Sequence, residues 1–308
     1  MTLRSTYHMV LRWLKRKIGI RSWTSFKANT KRKVNKRIYR KSYSTNDIIE
    51  LMKSMGLKKG SNIFIHSSLD EFYNYSGTVD EFIDAILAEI GSDGTLAMPS
   101  FPLFKNNDDI FDIENTPTAA GMIAEVFRRY PDVQRSACTR HSVCAIGPLA
   151  GYLLDEHQYS ETCWDEKSPY YKLSKINALI FVIGLGKHWL PTATHCADSI
   201  LKDEIPYFSL LFQKKIITQI RLLDKSIYKR EYYPVGDVYR YATYRHWGKY
   251  IYRYFEKSKY IKKKISNLTV NVYDAKYLID RSIELGRKGI VIWLKPKPLK
   301  KYFAKNTG

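Results

Sequence analysis

Asn62-Ile-Phe-Ile-His66, Val79-Asp-Glu-Phe-Ile-Asp-Ala-Ile-Leu-Ala-Glu89 and Thr95-Leu-Ala-Met98 decide the fold. The first is a short apolar run of strand length. The second places Val79, Phe82, Ile83, Ile86 and Leu87 at a helical period, and the third is a strand again. Strand, helix, strand in that order predicts a layered α/β core. Working outward, Ser44-Thr-Asn-Asp-Ile-Ile-Glu-Leu-Met52 reads as a capped helix. Residues 122–129 read as a helix, and Ser142-Val-Cys-Ala-Ile-Gly147 and Ala178-Leu-Ile-Phe-Val-Ile-Gly184 as strands. Beyond residue 200 the pattern blurs. Thr269-Val-Asn-Val272 suggests a strand, residues 275–285 a helix, and Gly289-Ile-Val-Ile-Trp293 a final strand. The expectation is a single layered α/β domain with a mixed or mainly parallel sheet, helices on both faces, and a basic N-terminal extension.

Charge divides the 308 residues into three. Residues 1–42 carry 14 Lys or Arg and no acid, residues 43–200 carry 12 basic and 21 acidic residues, and residues 201–308 carry 25 basic and 9 acidic. We therefore expect an extension over 1–42 and a domain over 43–308, with a core at 43–210 and a basic section at 211–308. Met9-Val-Leu-Arg-Trp-Leu-Lys-Arg-Lys-Ile-Gly-Ile20 sets apolar residues among cations at helical spacing. Such a segment lies on an anionic membrane surface or docks as a surface helix on its own domain. No apolar run approaches the roughly 20 residues that span a bilayer. Cys138, Cys144, Cys163 and Cys196 form no CxxC pair and read as reduced core thiols of a cytoplasmic protein, with peripheral contact at the inner membrane face through 1–42.

Several segments occur in a telling order. They are His66-Ser-Ser-Leu69, then Gly91-Ser-Asp-Gly-Thr-Leu-Ala-Met-Pro-Ser-Phe101, then Phe111-Asp112 leading into Thr116-Pro-Thr-Ala-Ala-Gly-Met-Ile-Ala-Glu-Val-Phe-Arg-Arg129. Arg135-Ser136, His141-Ser142, Ser168-Pro169 and Thr194-His-Cys-Ala-Asp198 follow. Over residues 44–210 this order resembles the aminoglycoside 3-N-acetyltransferase family. The resemblance implies an acetyl-coenzyme A-dependent N-acetyltransferase. It also implies that His66, Ser67, Ser68 and Leu69, with Ser100, Arg135 and Ser136, hold acetyl-CoA, and that His141 and Asp112 face the acceptor. Two positions depart from the family's pattern: Cys138-Thr139 stands where it usually has His-Pro, and the last motif ends in Asp198 rather than Glu.

Amine acetylation needs a base, a stabilised oxyanion and aligned reactants. His195 is the candidate base, since imidazole titrates near neutrality. Its orienting carboxylate is Asp198, three residues on, or Glu125, which the resemblance turns toward the site. For both acids the plainer reading is surface charge or a contact to a cationic substrate. Backbone N–H groups at Ser67 and Ser68 could hold phosphate or an oxyanion, and a helix N-cap accounts for Ser68 equally well. Arg135 suits a coenzyme phosphate or a structural ion pair, and His141 an acceptor contact or the core.

Two rival classes weaken on inspection. A Ser-His-Asp hydrolase lacks a GxSxG elbow. A nucleic-acid-binding protein, suggested by the Tyr, Arg and Lys of residues 228–264, leaves the motifs of residues 60–200 unexplained, so no nucleic acid is expected as partner. The basic flanks suggest an acceptor on an anionic carrier: a nucleotide- or lipid-linked amino sugar of cell-surface polysaccharide biosynthesis. The alternative is an aminoglycoside antibiotic, with resistance as the function.

Overall fold

The computed structural model describes residue 30 and residues 33–35, 37–104, 110–186, 189–235 and 251–292. The amphipathic stretch expected at 9–20 and the basic tail expected from 295 lie outside the described residues.

In chain order the elements are α1 (Thr45–Lys53), β1 (Asn62–Ser67), α2 (Val79–Ile90), β2 (Thr95–Pro99), β3 (Phe111–Asp112), α3 (Met122–Phe127), β4 (Gln134–Arg135), β5 (Val143–Ile146), α4 (Ala150–Leu154) and α5 (Pro169–Lys172). They continue as β6 (Leu179–Ile183), α6 (Cys196–Ile200), α7 (Pro206–Ser209), β7 (Ile216–Arg221), β8 (Ile227–Tyr232), β9 (Tyr260–Ile265), β10 (Leu268–Asp274) and α8 (Ala275–Arg287). Seven strands form one mixed sheet in the order β4-β5-β2-β1-β6-β10-β9, and β3-β7-β8 form a smaller one. β1 runs parallel to β2 and β6, while β5 and β10 join antiparallel on either side.

Capping explains where the two long helices on one face begin. The Ser44 hydroxyl accepts from the Asp47 N–H while the Asp47 carboxylate accepts from the Ser44 N–H, and Thr78 and Glu81 do the same for α2. Ile48, Ile49 and Met52 of α1 and Phe82, Ile83, Ile86 and Ile90 of α2 then face Ile63, Ile65, Leu96 and Met98 of the sheet. The opposite sheet face, with Phe64, Ala97, Ile180 and Val182, is covered by α4, α5, α6 and α8 through Leu153, Tyr170, Cys196 and Leu278. The expected helices on both faces of a single α/β domain are present.

Two expectations need correction. The helix expected at 122–129 stops at Phe127. Residues 289–292 form no strand, because the chain folds back on α8. The Gly289 N–H donates to the Gly286 carbonyl (2.9 Å) and the Ile290 N–H to Leu285 (2.8 Å), while Val291 is buried as coil. The β7–β8 hairpin falls in the region where the pattern blurs: its burial alternates along both strands, but Arg230 is among the buried positions while Ile217 and Ile227 are exposed, so the apolar residues do not mark it.

Candidate active site

β1 is the central switch of the sheet: the chain leaves it for β2 on one side, and β6 later returns on the other. Open α/β sheets bind ligands outside the carboxyl ends of strands at such a point. Ser67 pairs with Ile183 there, and the Ser68 N–H donates to the Ile183 carbonyl at 3.0 Å. Gly184 follows at φ +72°, and a Cβ on it would lie 2.7 Å from the Ser68 carbonyl oxygen. Glycine is therefore what allows β6 to end against this loop.

The segment after β6 carries His195. His195 Nδ1 lies 2.9 Å from Asp198 Oδ2, with Asp198 buried at the start of α6 and the His195 side chain 19% exposed. With Nδ1–H donating to the carboxylate, Nε2 carries the basic lone pair. The imidazole stacks on Trp164 at 4.7 Å, and Trp164 meets His141 at 4.6 Å, which in turn meets Phe101 edge-on at 5.0 Å. Burial pushes His141 down to about 3, so this ring is neutral. His141 Nδ1 and Trp164 Nε1 are both buried without a hydrogen-bond partner among the described residues. The structure thus joins His141, His195 and Asp198 of the expected set and adds Trp164, which sequence reasoning missed. A single Trp in Thr162-Cys-Trp-Asp165 was the only signal.

The other expected residues have different surroundings. Glu125 does not meet His195. It accepts from Arg128 Nη2 (2.8 Å), the Thr118 N–H (2.9 Å) and Arg129 Nε (2.9 Å). These bonds, Arg128's above all, outweigh burial and hold its carboxyl down at about 2. Arg135 is partly buried, and the loss of solvent around its charge lowers it to about 10. Its donors are taken by the carbonyls of Ser100 (2.7 Å), Ile113 (3.3 Å) and Thr116, and its charge lies 4.7 Å over Phe111. It clamps loops together.

Ser136 Oγ accepts from the Val143 N–H (2.9 Å) and so donates to His157 Nδ1 (2.8 Å), whose Nε2–H donates to the Cys163 carbonyl (3.2 Å). Ser100 is fully buried, its N–H donating to the Ser142 carbonyl at 2.7 Å. Asp112 Oδ1 accepts from the Glu114 (3.0 Å) and Asn115 (2.9 Å) N–H groups and fixes a turn. His66 is buried, lowered to about 3 by that burial, and its Nε2 accepts from the Thr192 N–H at 3.4 Å. It ties β1 to the loop leading to His195. Ser67, Ser68 and Leu69 remain partly exposed at the sheet's carboxyl edge. The Ser68 hydroxyl caps no helix, and its N–H is taken by Ile183, so an oxyanion role for that N–H falls away.

Among the described residues no helix is long and apolar enough to cross a membrane. Comparison with known proteins adds to this geometry. A family model described as aminoglycoside 3-N-acetyltransferase matches residues 64–285. The SPbeta prophage-derived aminoglycoside N(3')-acetyltransferase-like protein YokD of Bacillus subtilis (strain 168) is 29% identical over 159 residues, covering 44% of this chain and 58% of that one. Aminoglycoside N(3)-acetyltransferase IV of Salmonella sp is 26% identical over 163 residues, covering 52% and 60%. The chain thus spans less than two thirds of these relatives' length.

Among solved structures, aminoglycoside acetyltransferase AAC(3)-Xa shares the fold with a TM-score of 0.67 at 17% identity, over 83% of this chain and 96% of that one. AAC-VIa bound to sisomicin (0.65, 18%, 79% and 97%) and AAC-IIIb binary with CoASH (0.65, 16%, 80% and 97%) share it too. These findings overturn the expected polysaccharide role with its nucleotide- or lipid-linked amino sugar. That expectation rested on the basic flanks, whereas the family model and both relatives point to aminoglycoside acetylation, and His195 and Asp198 belong to the acidic middle. The ordered motifs, the layered sheet and a family match covering most of the chain converge, and the chain belongs to the aminoglycoside 3-N-acetyltransferase family.

Proposed function

We propose that this chain transfers the acetyl group of acetyl-coenzyme A to the 3-amino group of an aminoglycoside. The observation that carries the reading is the Asp198–His195 pair, seated beside the Trp164–His141 stack inside the segment that the family model matches. Two relatives of the same fold are described with sisomicin and with CoASH bound, which supports the two substrate classes. The excess of 21 acids over 12 bases in residues 43–200 suits a polycationic acceptor.

Asp198 would fix the tautomer and orientation of His195. His195 Nε2 would take a proton as the acceptor nitrogen bonds to the thioester carbonyl, and return it to the departing sulfur. Trp164 would hold the imidazole plane. The unpartnered His141 Nδ1 and Trp164 Nε1–H would meet polar atoms of bound substrate, since buried polar groups left unpaired are costly. The hydroxyls of Ser67 and Ser68, at the sheet's carboxyl edge, are the groups in this loop that would meet the coenzyme.

Thermal unfolding with and without acetyl-CoA, followed by thiol release with sisomicin, tests the reading. A coenzyme at about 100 times its Kd should stabilise wild type and His195→Ala alike by about 2.7 kcal/mol. His195→Ala should lose about 10²–10⁴-fold in kcat. A coenzyme-stabilised wild type that releases no thiol with any aminoglycoside would overturn the acceptor assignment.

A further inference from the structure

Behind the Trp164–His195 stack lies a second group of reactive side chains that the proposed mechanism does not use. Cys138 and Cys163 are both buried, with their sulfurs 3.5 Å apart in S–H···S contact. Arg230, on β8, is fully buried against them. Its Nη1 lies 3.2 Å from Cys138 Sγ and 3.9 Å from Cys163 Sγ. Its Nη2 donates to the Ser160 carbonyl (2.9 Å), its Nε to Gln158 (3.3 Å), and its plane lies 4.2 Å over the Tyr232 ring. Among the described residues no carboxylate pairs with this guanidinium.

A buried cation without a counter-ion is strongly unfavourable. The acidic group in contact with Arg230 is a thiol. Burial alone would keep Cys138 protonated, but the contact with Cys163 and the Arg230 charge outweigh it and hold Cys138 well below the ordinary thiol range. Burial, with the neighbouring Cys138, pushes Cys163 well up. In the remaining two cysteines burial prevails: it raises Cys144 to about 11 against the pull of Arg135 and Arg128, and it raises Cys196 as well.

We propose that Cys138 and Cys163 form an oxidisable dithiol, with Cys138 as the thiolate paired to Arg230, and that its closure disables the active site through Trp164. A hydroperoxide is the oxidant. The Cys138 thiolate attacks one peroxide oxygen, the O–O bond breaks, and the leaving alkoxide takes up a proton, so that Cys138 becomes a sulfenic acid. The Cys163 thiol then loses its proton and attacks that sulfur; the S–S bond forms and hydroxide leaves as water. Two thiols lose two electrons, and the peroxide is reduced to alcohol and water.

A disulfide is about 2.0 Å long, so the sulfurs must approach by about 1.5 Å. Cys163 precedes Trp164, whose N–H is held by Thr162 Oγ1 at 3.1 Å and whose ring supports His195. The displacement therefore acts one residue from the stack. The effect on catalysis rests on the acetyltransferase reading, whereas the chemistry of the pair does not.

The test treats the full chain with hydrogen peroxide, alkylates the remaining thiols and maps the peptides. The expected product is a Cys138–Cys163 disulfide, with Cys144 and Cys196 still alkylatable. Acetyl transfer should fall at least tenfold and recover with dithiothreitol, while Cys163→Ala, and independently Cys138→Ala, stay within twofold under peroxide. Trp164 fluorescence, taken as the difference between wild type and Trp164→Phe, should change on oxidation and revert on reduction. This readout needs no activity, so failure of the acetyltransferase reading would leave it intact. Absence of the Cys138–Cys163 crosslink, a crosslink that changes neither activity nor the Trp164 signal, or equal peroxide loss in Cys163→Ala would overturn the proposal.

Discussion

The two faces of the central sheet are built to different rules. On one face, α1 and α2 are long, each begins with a capping box, and their buried residues follow the helical period. On the other, the helices run to four or five residues apart from α8. There buried polar groups collect: Asp198 under His195, Arg230 against two thiols, and His141 Nδ1, Trp164 Nε1 and Tyr170 Oη without partners. The first face maximises agreement between local preference and packing. The second gives up that agreement where chemistry has to be done.

The largest effect that would sharpen this contrast is on stability. Phe82 is fully buried on α2 and meets Phe72 edge-on at 5.8 Å. Phe82→Ala should cost about 3–5 kcal/mol in urea unfolding, with kcat per folded molecule unchanged. A tenfold loss in kcat would break the division between the faces.

Asp198→Asn on the other face should do the reverse. It replaces a charge-assisted bond of about 1.5–3 kcal/mol by an amide that can leave the wrong tautomer, lowering kcat about tenfold to 150-fold with the coenzyme-induced thermal shift retained. An unchanged kcat would remove Asp198 from the mechanism.

Glu125 should give the smallest effect, and one that depends on pH. Its carboxyl is held at about 2 in the folded state, below the ordinary carboxylate value near 4.3. Its contribution is therefore fully present above about 4.3 and is lost as pH falls toward 2. Glu125→Gln should lower stability by about 1–2 kcal/mol at pH 7, with the two unfolding curves converging near pH 2. A constant gap across that range would mean that Glu125 acts through packing alone.

Much of this division was legible beforehand. The helices at 45–53 and 79–90 follow from caps and one apolar face, and the strands at 62–67, 95–99 and 179–183 from short apolar runs buried on both faces. His195 and Asp198 were legible as a pair because three residues make one helical turn. Trp164, Arg230 and the Cys138–Cys163 contact were not, since residues 25 to 92 positions apart meet only through tertiary packing. The surroundings of Arg135 were hidden for a related reason. A guanidinium fits phosphate and backbone carbonyls alike, and only the fold reveals which surrounds it.

The large sheet ends at β9, its last strand among the described residues. That strand reads Tyr260-Ile-Lys-Lys-Lys-Ile265, and Lys262 and Lys264 are exposed on it. A second copy adding itself there as a strand would bring lysines of the two chains close together. Such pairing is repelled before it can propagate. The same cations that add to the chain's basicity thus oppose strand pairing at the edge where its sheet would otherwise continue into a neighbour.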